Sequence, residues 1–442
     1  MDRIVNAVDK YRQLILDAER YIWANPETGY KEIKTTKYLA DKFIELGYDL
    51  TYADGITGFY TVIDTGREGP EIMILGELDS IICPKHKDAD PITGAVHSCG
   101  HNAQCAALLG VAAALKEKSV LDNLCGKIRL CAVPAEELLE MEYRSELMKK
   151  GIIKYYGGKT EYLHRGYFDG VDIAFMVHTS SYSRTTLGSV GIIAKRIIYK
   201  GVASHAGSSP WNGKNALYAA TCGINAVNAI RETFKEEDCI RFHPIITHGG
   251  DMVNAIPSEV RIETYVRGKE FDGIIKNNKR INQALCGAAL SLGTNVEIID
   301  EPGYAPHKNS KEMKELASQT FREMFPDKSF TDLEVFATGS TDMGDLSCIM
   351  PVVQPYIGGT RGKAHGDDYE IYDPELACVC SAKWQVGMLK RLLENNGELA
   401  KKIIKDFKPM FNSKKEYLDY IDNLSSSGDR IEYKGNEVVV KI

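Results

Sequence analysis

Residues 97–116 read His-Ser-Cys-Gly-His-Asn-Ala-Gln-Cys-Ala-Ala-Leu-Leu-Gly-Val-Ala-Ala-Ala-Leu-Lys. From Ala103 onward only Gln104 and Lys116 are polar, so the pattern predicts a helix over 103–116 that is apolar nearly all round and packed between other layers. At its mouth stand Cys99 and His101, a thiol and an imidazole two residues apart that can share metal. Working outward, apolar runs at 72–75, 128–133 and 171–177 have the length and composition of buried strands in an α/β sheet. Each run leads into residues that carry chemistry: Glu77 and Asp79, the pair Glu136-Glu137, and His178. The C-terminal ends of strands are where α/β sheets place their sites. With His365 farther along, these donors form a ligand set of the kind that holds catalytic metal, and the chain reads as a metal-dependent hydrolase.

Composition bounds the architecture. At 442 residues, 44% of them hydrophobic, the chain exceeds what one compact core usually supports, so two domains are expected. A net charge of -7 gives no basic patch of the kind nucleic acid requires. No apolar run approaches the roughly 20 residues of a membrane helix, and Met1-Asp2-Arg3-Ile4 lacks the apolar stretch of a signal peptide. The expectation is a soluble, cytoplasmic protein. Eleven cysteines without a repeating pattern fit a reducing compartment better than a disulfide framework. Most read as small core residues, and only Cys99 has metal-ligand context.

Switches in hydrophobic period set the domain order. A helix is expected over 33–46, stopped by Gly47. From about residue 190 the pattern becomes an alternating strand, a helix over 210–234, strands near 242–247 and 260–266, a helix over 271–292 and a strand at 296–299. That β-α-β-β-α-β order resembles a ferredoxin-like α+β insert with its own core. An α/β pattern then returns, with a helix at 310–325, a strand at 352–357 and a helix at 374–394. The expected division is a discontinuous catalytic domain, 1–187 and 304–400, an inserted domain, 188–303, and a C-terminal extension, 401–442, with a hairpin turning at Gly435-Asn436.

Eight segments in order carry a family resemblance: Asn25-Pro26-Glu27 with Glu32 and Thr35, Gly76-Glu77-Leu78-Asp79, Cys99-Gly100-His101-Asn102, Pro134-Ala135-Glu136-Glu137, Ser204-His205-Ala206, Asn254-Ala255-Ile256-Pro257, Ser340-Thr341-Asp342 and His365. They resemble the M20 dinuclear metal amidohydrolases and exopeptidases, which include aminoacylase, hippurate hydrolase and indole-acetyl-amino-acid hydrolase. The Cys-Gly-His-Asn and Glu-Leu-Asp forms look closest to the p-aminobenzoyl-glutamate hydrolase branch. The resemblance implies a zinc-exopeptidase-like (phosphorylase/hydrolase-like) three-layer α/β catalytic domain interrupted by a ferredoxin-like lid that also dimerises. It implies two divalent metals per subunit, zinc, manganese, cobalt or nickel, and a homodimer acting on N-acyl amino acids, aminobenzoyl-glutamate-like conjugates or dipeptides. By position, Cys99 matches a metal-bridging thiolate, and His101, Glu137, His178 and His365 match further ligands. Glu136 matches the general base, His205 an oxyanion donor assisted by Asn254, and Arg267 a basic residue that grips a substrate carboxylate.

Two departures stand out. Glu77 occupies a place where many dinuclear relatives have histidine, and 149–166 is longer than the usual connection, either lining the pocket or supporting an interface. Two other functions are open at this level. A thiol hydrolase would use Cys99 as nucleophile with His101 or His205 as base. A non-catalytic protein could keep the pocket for an acyl-amino acid, although retaining both Glu136 and Glu137 argues against it.

Overall fold

In the computed structural model, which describes residues 2–442, strand Glu71–Glu77 is buried at every position. That is the condition of a strand with neighbours on both edges and cover on both faces, and it explains the unbroken apolar run. The sheet around it has six strands in the order Thr51–Tyr52, Phe59–Asp64, Lys127–Val133, Glu71–Glu77, Ile173–Phe175 and Val352–Val353. The last four run parallel to one another, and Phe59–Asp64 pairs antiparallel to Lys127–Val133. Helix His101–Ala114 is buried along its whole length and packs on Glu71–Glu77 and on helices Arg12–Trp23 and Ser381–Leu393. Leu108 and Leu109 on it are fully buried, each contributing about 1.5–3 kcal/mol through water exclusion.

Internal contacts divide the chain into two compact units. The first comprises Met1–Gly188, His307–Ala337 and Thr341–Lys414, and the second Ser189–Pro306, Thr338–Ser340 and Lys415–Ile442. The stretch 401–442 is thus divided between them at Lys414/Lys415. In the second unit, antiparallel strands run in the order Arg241–Phe242, Glu259–Gly268, Gly191–Lys200, Asn295–Pro302. Ile245–His248 also pairs with Glu259–Gly268, and helices Ala216–Ile230 and Phe271–Ser291 pack on this sheet. Its core contains a buried polar knot: the Lys195 ammonium meets the Asp300 carboxylate, whose other oxygen accepts from Asn278 at 2.9 Å and Asn282 at 3.1 Å. The chain's end lies along the outer strand, with Asp300 N donating to Ser426 O at 2.7 Å and Arg430 N to Val296 O at 2.8 Å. Hairpin strands Ile431–Lys434 and Glu437–Val440 follow, turning at Gly435-Asn436.

Three elements differ from the periodicity. The helix expected over 210–234 begins at Ala216, where Asn215 caps it by accepting from Leu217 N and Tyr218 N, and Pro210–Asn212 is a separate turn. The apolar run 352–357 is two strands, Val352–Val353 and Tyr356–Ile357, which join different sheets. Pro355 between them lacks an N–H for a continuous ladder. Residues 374–394 open with a wide π turn, Glu375–Cys380, before helix Ser381–Leu393. Among the described residues no helix is long and apolar enough to cross a membrane.

Candidate metal centre

Glu77 lies opposite Val133 in parallel register, so the chain leaves both strands at the same end of the sheet. There Pro134-Ala135-Glu136-Glu137 turns through a left-handed residue, Ala135, at φ 56°. An alanine holds that conformation only when its surroundings fix it. Ala135 N donates to the buried Glu32 carboxylate at 2.8 Å, and Glu137 N donates to Asp79 Oδ2 at 2.8 Å. Gly158 N donates to Ala135 O at 3.2 Å, and the Arg144 guanidinium donates to Glu137 O. Four residues outside it, Glu32, Asp79, Arg144 and Gly158, therefore pin the turn that carries both glutamates.

The ligand atoms of Cys99, His101 and His178 lie within 4.8 Å of one another, as do those of Cys99, Glu137 and His365. Cys99 Sγ belongs to both groups, 3.6 Å from His178 Nε2. His365 Nε2 is 3.0 Å from Glu137 Oε1. Each of the two inner imidazoles is set by its other nitrogen. His101 Nδ1 donates to Asp79 O at 2.9 Å, and His178 Nδ1 donates to Thr179 O at 2.9 Å. Carbonyl oxygens only accept, so Nδ1 carries a proton in each ring and Nε2 is left as the candidate ligand atom, the orientation that metal-binding histidines adopt. Soft sulfur, imidazole nitrogen and carboxylate oxygen gathered within 4.8 Å of one another fit a pair of divalent cations sharing Cys99. A third group, Glu77, His101 and Glu136, adjoins them.

The electrostatics agree with that donor set. Burial and Glu137 push the Cys99 thiol up, but His101 and His178 outweigh them and bring it down to about 6. Burial works against Glu137 too, yet His365 holds its carboxyl at about 2. His365 is raised to about 11, chiefly by Glu137. Glu136 goes the other way: burial, then the charges of Glu77 and Glu137, hold it well above the carboxylate range. Adjacent carboxylates are thus driven apart, one kept ionised and one ready to hold a proton.

Several residues that serve this site escape a reading of spacing. Lys159, fully buried, donates from Nζ to Glu77 Oε1 and to the Asp342 carboxylate, and its backbone N donates to Asp342 Oδ2 at 2.8 Å. Glu77 Oε2 accepts from Gln104 at 2.9 Å and lies 3.2 Å from His101 Nε2. Lys159 belongs to helix Gly158–His164, inside the long connection, which therefore runs beneath the site. The available signal was Gly157-Gly158-Lys159: a Cβ on Gly158 would fall 1.6 Å from Pro134 O, so only glycine permits this approach. His97 is also fully buried, its ring pushed down to about 3 by burial and then by His101.

His205, Asn254 and Arg267 belong to the second unit. His205 pairs with Ala255 and is exposed, its Nδ1 accepting from Gly207 N at 3.1 Å and Ser208 N at 3.0 Å. Asn254 O accepts from Ala206 N at 2.9 Å, which keeps the two residues adjacent. Arg267 donates from Nε to His243 Nε2 at 3.0 Å and from Nη1 to Ser340 Oγ at 2.9 Å.

A model of peptidase family M20/M25/M40 matches residues 76–388. The mouse protein named Xaa-Arg dipeptidase is 27% identical over 384 residues, spanning 83% of this chain and 82% of its own. One of the subunits of the Escherichia coli p-aminobenzoyl-glutamate hydrolase is 28% identical over 306 residues, 66% of this chain and 59% of its own. Among solved structures, an aminobenzoyl-glutamate utilization protein from Klebsiella pneumoniae shares the fold with a TM-score of 0.66 at 18% identity, covering 89% of this chain and 99% of that one. A dinuclear metal-binding peptidase from Bacillus subtilis does so with a TM-score of 0.63 at 19% identity, covering 87% and 99%. Every candidate residue from Glu77 to His365 falls inside the matched stretch, and the chain belongs to peptidase family M20/M25/M40, hydrolases of amide and peptide bonds.

Proposed function

We propose that the chain hydrolyses the amide bond of an N-acyl amino acid, an aminobenzoyl-glutamate-like conjugate or a dipeptide, by metal-assisted attack of water with Glu136 as general base. The observation that carries this reading is one sulfur, Cys99 Sγ, common to two donor groups, with the Glu136 carboxylate beside them, Oε2 3.9 Å from His101 Nε2. Cys99, His101 and His178 would hold one cation, and Cys99, Glu137 and His365 the other. A bound pair of zinc, manganese, cobalt or nickel ions supplies Lewis acidity toward the carbonyl and acidifies the attacking water. Glu136 takes the water's proton and delivers it to the leaving nitrogen, a role suited to a carboxyl whose affinity for protons its neighbours raise. His205 accepts backbone N–H groups at Nδ1, which leaves the proton on Nε2 as a donor for the tetrahedral oxyanion, with Asn254 steadying it. Arg267 is proposed to meet a substrate carboxylate.

The first unit is proposed as the catalytic domain and the second as a lid that pairs two copies into a homodimer, with His205 acting across the pair. Ile245 and Ile246, 63% and 45% exposed on the outer strand, support that edge as the pairing surface. The other edge is already covered by residues 426–430.

A thiol nucleophile is the second reading, favoured by the Cys99–His178 contact and the lowered thiol. Chelation separates the two. The metal reading expects turnover of p-aminobenzoyl-glutamate, hippurate, N-acetyl amino acids or dipeptides to fall at least about a hundredfold on metal removal, and to return with zinc, manganese, cobalt or nickel. Full turnover in the chelated protein, abolished by alkylation of Cys99, would establish the thiol mechanism instead.

A further inference from the structure

Tyr356 pairs with His178 on one side and with Arg184 on the other. Residues directly opposite across strands send their side chains to the same face, so the three form a row that starts at a candidate metal ligand. The His178 and Tyr356 rings are 5.6 Å apart between centroids. The Arg184 guanidinium lies 4.4 Å from the Tyr356 centroid and 4.4 Å from that of Tyr182, held between two aromatic faces. It also donates from Nη1 to Ser180 Oγ.

The buried arginines of the same unit behave differently. Arg129 donates to the Glu71 carboxylate at 2.6 Å and to backbone carbonyls, and Arg144 donates to the carbonyls of Tyr156 and Glu137. Arg184 is half-buried, and among the described residues no carboxylate pairs with it. Aromatic faces orient a guanidinium and compensate part of its lost hydration, but they leave its in-plane N–H edge unmatched, and that edge is the one a carboxylate fits bidentately.

We propose that Arg184, flanked by Tyr182 and Tyr356, is an anion subsite of the hydrolase that receives a carboxylate of the substrate. The inference rests on the amide-hydrolase reading and names the feature of the substrate that the first unit recognises. The role is separate from the one proposed for Arg267, whose Nε and Nη1 go to His243 and Ser340 within the second unit. Arg184 is a specificity residue and takes no part in bond breaking.

The test compares Arg184→Met and Arg184→Lys with the parent on hippurate and p-aminobenzoyl-glutamate and on the corresponding carboxamides, with bound metal and thermal unfolding measured for each variant. The expected result is a KM for the carboxylates raised about 10- to 100-fold in Arg184→Met. The kcat and the kinetics of the carboxamides should be nearly unchanged, and Arg184→Lys should recover part of the loss. A KM unchanged on the carboxylates, or raised equally on the carboxamides, overturns the subsite while leaving the hydrolase intact. Failure of the metal-loaded parent to cleave these substrates, N-acetyl amino acids and dipeptides alike overturns the amide-hydrolase reading, and the subsite with it.

Discussion

Gly100 separates two donors that must converge. It sits at φ 83°, and a Cβ there would come 2.1 Å from Thr179 Oγ1 and 2.4 Å from the Tyr369 hydroxyl. Gly100→Ala should lower stability by roughly 1–3 kcal/mol from backbone strain alone and lower the bound metal per chain, measured by thermal unfolding and elemental analysis of the same sample. Glu136→Gln should behave in the opposite sense, keeping metal content and unfolding temperature while kcat drops by about 10²- to 10⁴-fold. Parental kcat in that variant would exclude Glu136 as the base. The residues in these experiments were readable in the sequence because they fall in short motifs at strand ends. Lys159 and Gln104 were not, because their partners are far along the chain: Lys159 is 183 positions from Asp342, and Gln104 is 27 from Glu77.

Among elements, helix Gly158–His164 shows how much the site depends on a segment that contributes no ligand. It brings a fully buried ammonium against two carboxylates, and removing one partner of such a group leaves uncompensated charge. Lys159→Met should cost about 3–5 kcal/mol at neutral pH, read from denaturant unfolding of the chelated protein. The sign with pH follows from the two acids. Burial raises Glu77 but Lys159 and then His101 outweigh it, so its native pKa is depressed and its contribution is present above about pH 4.3. Asp342 is raised to about 6 by burial even with Lys159 beside it, so its ionised form costs stability at higher pH. Without Lys159 both acids lose the charge that holds them down, so the native variant keeps protons that the parent has released, and the gap should widen as the pH rises from about 4. A gap independent of pH would contradict the electrostatic account. Periodicity located the buried strands and the apolar helices within a few residues, since each leaves a distinct pattern, but it gave no reading of helix Arg12–Trp23 or strand Phe59–Asp64. It failed at Gln354-Pro355, where hydrophobicity continues while the ladder does not, and at 210–215, where a cap rather than a change in polarity starts the helix.

For the whole molecule, the two-unit division and the covered sheet edge have separate consequences. Residues 426–430 lie along Asn295–Pro302, and Ile431 reaches the second unit's core. Ending the chain after residue 424 should bare a strand edge and yield concentration-dependent association beyond that of the full chain, followed by light scattering on a sizing column. An unchanged mass distribution would show that the edge needs no cover. A change of period near residue 190 was legible in the sequence, and the second compact unit begins at Ser189. The sharing of the C-terminal stretch was not legible, because pairing of a tail with a distant strand is carried by backbone hydrogen bonds that composition does not encode.

The donors themselves run from Cys99 to His365, with the entire stretch Ser189–Pro306 belonging to the other unit. During synthesis from the N-terminus, Cys99 and His101 emerge some 260 residues ahead of His365, and the nascent protein carries an unfinished cation cage while the intervening unit folds. Under the proposed ligand assignment the cage closes only after His365 has emerged, and ribosome-bound chains stopped short of residue 365 should exchange metal more readily than released protein.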